Sequence, residues 1–111
     1  MNYNLDNLLD EVIKEYGANK GYIKPRIRWS NFNRIYSFGV YRYWDNVIEI
    51  SPFLNNKNID TETLKSVIYH EYLHQKYREH DKGFREKENL FSNKERHQKL
   101  LEEFFDGIEE F

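Results

Sequence analysis

The sequence predicts an α+β domain. Apolar residues recur at three- and four-residue steps near both ends of the chain, and between Tyr22 and Ser51 the pattern changes to short runs of Ile, Val, Tyr, Phe and Trp. At 111 residues, with no repeat and no linker, residues 1–111 read as one domain.

The first helix rests on Leu5, Leu8, Leu9, Val12, Ile13 and Tyr16, with Asn4 placed to cap its start and Gly17 to end it in a left-handed turn. Three strands follow in YIKPRIRW, RIYSFGVYRY and NVIEIS. Trp44, Asp45 and Asn46 separate the second from the third, which predicts an antiparallel hairpin. Pro25 lacks an N–H to give to a neighbour, so the first strand is expected at an edge or with a bulge.

After Pro52 and a polar loop through Asn58, Asp60 can cap a second helix running from Thr61 to about Tyr77. Leu64, Val67, Ile68, Tyr69, Tyr72 and Leu73 give this helix apolar surface on more than one side, so it should be central and largely buried. A third helix is expected over Asp81 to Phe91. Ser92 and Glu95 form a capping box for a last one, with Leu100, Leu101, Phe104, Phe105 and Ile108 along its stripe.

The charge balance removes several classes of function. Seventeen basic against nineteen acidic residues leave a net charge of -2, which does not neutralise a phosphate backbone, so nucleic acid is not the expected partner. Without cysteine, any metal must be held by His and carboxylate groups. No apolar run approaches the roughly 20 residues that cross a bilayer, and no targeting signal opens the chain; no membrane association and a cytoplasmic location are expected.

The chemistry concentrates in His70-Glu71-Tyr72-Leu73-His74, a match to H-E-x-x-H on the expected central helix. Residues four apart share a helix face, so His70 and His74 can reach one ion, and zinc is the expected cofactor. Glu71 stands beside the first ligand, placed to act as general base. A catalytic zinc ion needs a third protein ligand, for which His80, Glu79, Asp81, Glu95 and His97 are candidates. His80 can fold back after a short turn, His97 reaches the metal only if the last helix crosses the site, and Glu95 is better accounted for as a cap.

The runs NVIEISPFLNN and TETLKSVIYHEYLHQKYREHDKGF resemble the small zinc peptidases called minigluzincins and are similar to WLM and SprT-like domains, over roughly Trp29 to Leu101. The resemblance implies a minimal zincin fold: an N-terminal helix, a three-stranded antiparallel sheet, the active-site helix and C-terminal helices. His80, in His80-Asp81-Lys82-Gly83-Phe84, matches the H-x-x-x-F element of WLM-type domains as third ligand; a stricter gluzincin order puts His97 there. It also implies latency, with residues 92–111 lying over the cleft. Phe104, Phe105, Ile108 and Phe111 make a large apolar surface for such a role, which equally suits a helix completing the core or a contact between copies of the chain. Glu109, Glu110 or the terminal carboxylate would then occupy the water's position.

The expected reaction is hydrolysis of an internal peptide bond in a peptide or protein added as a strand to a free sheet edge, either at Phe38 to Trp44 or at Val47 to Ile50. Arg42, Tyr41 or Tyr43 are candidates for stabilising the oxyanion, with core or surface packing the simpler account of each. Two other functions remain: a zinc-stabilised binding module closed by a fourth ligand, and a zinc hydrolase acting on a non-peptide bond, for which Lys76, Arg78, Lys82 and Arg85 would cradle phosphate.

Overall fold

The computed structural model describes residues 3–17, 22–31 and 37–109, the last three for their backbone only. Helix α1 spans Leu5–Val12, and the Asn4 side chain accepts from the Asn7 N–H at its start. A single wide π turn, Ile13–Gly17, continues it, so Gly17 ends the segment without the left-handed backbone the sequence suggested. Leu5, Leu8, Leu9 and Val12 are all buried, and this stripe lies against the central helix α2, Thr61–Leu73.

Asp60 caps α2 by accepting from the Thr63 N–H at 3.0 Å. Thr63, Leu64, Val67, Ile68, Tyr69, Tyr72 and Leu73 are buried on several sides of the helix, as a central position demands. The helix stops at Leu73, four residues short of Tyr77, because His74 takes the cap position and the chain turns there. Helix α3, Lys82–Glu88, is capped by Asp81. Helix α4 spans Lys94–Glu109 and starts after Asn93, whose φ of 58° makes the corner, one residue later than a Ser92 cap would place it.

The strands β1 (Arg26–Trp29), β2 (Gly39–Arg42) and β3 (Val47–Ile50) form one sheet in the order β1-β3-β2. β2 and β3 are the expected antiparallel hairpin, with Gly39 opposite Ile50 and Arg42 opposite Val47. β1 pairs with β3 in parallel, Arg26 beside Val47 and Trp29 beside Ile50, so the sheet is mixed and not antiparallel throughout. The physical reason lies in β3. All four of its residues are buried, so it takes the centre, while β1, with Pro25 at its entry and alternating exposure, takes an edge. Glu49 is tolerated in the centre because Arg28 on one edge strand (3.1 Å) and Arg42 on the other (3.4 Å) both reach it. Among the described residues, no helix is long and apolar enough to cross a membrane.

Candidate metal centre

His70 lies in the last full turn of α2, and His74 is its C-cap, one turn further on. His80 follows a turn between α2 and α3, and the ligand atoms of the three histidines all lie within 4.8 Å of one another. Phe84, fully buried in the first turn of α3, supports them: its ring centroid is 4.9 Å from each of the three imidazole centroids. The Asp81 cap holds Phe84 in that position by accepting from its backbone N–H at 2.9 Å. The turn therefore delivers His80, and the helix that follows supplies the apolar support beneath the cluster.

Outer partners set the imidazole tautomers. The His74 Nδ1 lies 2.7 Å from the Tyr77 carbonyl oxygen, which can only accept, so Nδ1 carries the proton and Nε2 is left with a free lone pair. His70 donates through Nδ1 to the Glu88 carboxylate in the same way. Glu88 stays ionised: despite burial, its hydrogen bonds from His70 and Lys94 bring its pKa down to about 2. Its other oxygen is 3.0 Å from the Lys94 Nζ on α4, so one carboxylate joins three helices. Burial lowers the pKa of both His74 and His80, which favours neutral, metal-binding rings at pH 7. Three imidazoles with no thiolate among them are a donor set that could hold a zinc-like ion.

Glu71 is 6% exposed, and burial pushes its pKa up to about 7 against the pull of His70, with the Glu88 charge adding to the rise. Gly39 of β2 packs beside it: a Cβ there would lie 3.4 Å from the Glu71 Cγ, an ordinary contact, but only 2.9 Å from the Glu49 carbonyl oxygen, which is what requires glycine. Above these groups opens a cleft of about 710 Å³. One wall is the edge strand β2, the floor is His70, Glu71 and His74, and the opposite wall is α4 through Lys94, Gln98 and Leu101.

The structure brings His70, Glu71, His74 and His80 together and leaves the other candidates elsewhere. His97 is 2% exposed and lies near the start of α2, its Nδ1 2.8 Å from the Thr63 hydroxyl. Asp81 is a cap, and Glu79 and Glu95 are exposed and outside the cluster. Val47 to Ile50 is the central strand, so among the described residues the edge strand along the cleft is β2. Of the oxyanion candidates, Tyr41 donates to Asn46 at 2.6 Å and Arg42 is engaged by Asp45 and Glu49, while Tyr43 lies beneath Arg78 at the cleft. On α4, Leu101 and Phe105 are buried in the core, whereas Phe111, Glu110 and the side chains of Ile108 and Glu109 lie outside the described residues.

Two contributors had not been singled out in the sequence. Glu88 stands four residues after Phe84 on one face of α3, a spacing that, once Phe84 was placed by the histidines, points to it. The Tyr77 carbonyl is a backbone group and carries no such signal. A scan against models of known protein families finds no match for this chain, and a search of curated proteins finds none.

Proposed function

We propose that this chain is a zinc-dependent peptidase on a minimal zincin fold, acting in the cytoplasm on internal bonds of peptide or protein substrates. The observation that carries the reading is the convergence of His70, His74 and His80 beside a buried Glu71 at the floor of a cleft lined by an edge strand. His70, His74 and His80 would hold the ion. When bound, zinc supplies Lewis acidity, which brings the ionisation of a water molecule close to neutral pH and polarises a carbonyl.

The chain's own residues do the rest. Glu88 and the Tyr77 carbonyl hold the His70 and His74 rings in the tautomer that leaves Nε2 free. Glu71 takes the proton of the attacking water and delivers it to the leaving amine, and no covalent intermediate on the protein is required. The edge strand β2 aligns an extended substrate by backbone hydrogen bonds. Among the described residues the cluster offers three donors and opens on a cleft, which favours catalysis over the closed site of a zinc-stabilised binding module.

The same proposal includes latency through residues 92–111, a segment also suited to pairing between copies, since α4 already forms one wall of the cleft. One experiment tests both parts: zinc content and cleavage of quenched peptides by the full chain, by Glu71→Gln and by a chain truncated after Gly107. Glu71→Gln should retain zinc and lose turnover by at least about a hundredfold, the worth of a general base. The truncated chain should be the more active. Turnover retained in Glu71→Gln contradicts the peptidase reading, and equal rates for the truncated and full chains remove latency.

A further inference from the structure

Cations line the cleft at Arg78, Arg85 and Lys94, and their surroundings differ. Lys94 is bound to Glu88 at 3.0 Å, and Arg85 faces the same carboxylate at 4.0 Å. Arg78 forms no ion pair among the described residues. Its guanidinium instead lies over the Tyr43 ring, 4.0 Å from the centroid. That contact holds the exposed guanidinium at the cleft by its charge on the ring face and leaves N–H donors directed away from the ring for a ligand.

The position of Arg78 is fixed from both sides. The residue before it, Tyr77, locks His74 through its carbonyl, and His80, two residues on, belongs to the histidine cluster. From across the cleft the β2–β3 hairpin supplies Tyr43, itself 56% exposed, and the Arg78 charge also reaches Tyr41 on β2. A peptide laid along β2 toward the histidines therefore passes a pre-oriented guanidinium that has no ion-pair partner among the described residues.

We infer that Arg78, held by Tyr43, selects substrates carrying a carboxylate next to the scissile bond. Resting on the peptidase reading, this inference names the substrate class of that site. The carboxylate comes from an acidic side chain or from a peptide C-terminus, and both offer the planar two-oxygen group that a guanidinium fork binds bidentately.

The test measures both binding and cleavage. Zinc-loaded Glu71→Gln chain, which should bind without cutting, is titrated with labelled extended peptides followed by fluorescence anisotropy. The peptides are a neutral parent with Gln and an amidated end, its Gln→Glu form, and its free-acid form. One or both anionic forms should bind roughly fivefold to tenfold more tightly than the parent, the range for one charge-assisted pair at a partly solvated site. This preference should vanish when Arg78→Gln is added, recover in part with Arg78→Lys, and persist when a charge is removed at the distant, exposed Lys57 by Lys57→Gln. Whichever anionic form carries the preference identifies the source of the carboxylate. Equal binding of all three peptides, or a preference that survives Arg78→Gln, overturns the inference. An Arg78-dependent preference in a chain whose wild type cuts no peptide supports it and contradicts only the peptidase reading.

Discussion

Glu88 acts on the candidate site through His70. It accepts from the Nδ1 of that ring while Lys94 neutralises its other oxygen, so Glu88→Gln replaces a charged acceptor with a neutral amide in the same space. Zinc affinity should fall about 10- to 100-fold, and because Lys94 loses the same partner the thermal transition of the metal-free chain should fall as well. Competition against a chelating dye would measure it, and an unaltered affinity would remove the positioning role. His97 serves stability instead. Burial lowers its pKa below the usual 6.5, against Asp60 and Glu62, which favour the cation, and with Arg96, which opposes it. The unfolded chain then binds the proton more readily, so the contribution of neutral His97 is complete above pH 6.5 and is lost as pH falls from there through the lowered folded value. In metal-free chain, denaturant unfolding at several pH values between about 7.5 and 5 should show a shallower loss for His97→Gln than for wild type. An identical slope would show that His97 plays no part.

The elements are joined by a few specific devices, and Lys65 is the clearest. Its side chain on α2 is 3% exposed, with carboxylates of Glu15 at 2.9 Å and Glu11 at 3.5 Å from the first helical segment and Glu62 at 3.2 Å one turn back. Burial alone would lower its pKa, yet the Glu15 and Glu62 carboxylates raise it, so the ammonium stays charged. Because those partners are about half exposed, solvent screening limits the worth of each pair, and Lys65→Ala should cost about 1–3 kcal/mol in denaturant unfolding. Lys65→Met keeps the buried stem and should recover part of the loss; a full loss in both variants would assign the whole effect to charge. The starts of α1 and α2 were legible in advance, since Asn4 and Asp60 cap them locally, whereas the corner at Asn93 displaced the start expected from Ser92. The order of the sheet was not. Local pattern reports that a segment is extended, but partner choice depends on which strand is buried on both faces, and Glu49 disguised β3 as a half-exposed strand.

For the whole molecule, the cluster is the place where the helical pattern, the turn and the core agree. His70 and His74 were legible because α-helical spacing alone puts them on one face. His80 needed the turn after α2, and that it lies beside His70 and His74 while His97 does not is a matter of tertiary packing: α4 carries His97 to Thr63 at the far end of α2. The support from Phe84, Glu88 and the Tyr77 carbonyl depends on how α3 folds back, which no local pattern encodes. The most direct test of the central claim is anomalous diffraction on either side of the zinc edge from crystals of the full chain grown with zinc. The account predicts one strong peak among the rings of His70, His74 and His80, with Glu71 beside it and not bound to it. Zinc held elsewhere, or those three rings without a peak between them, would contradict it.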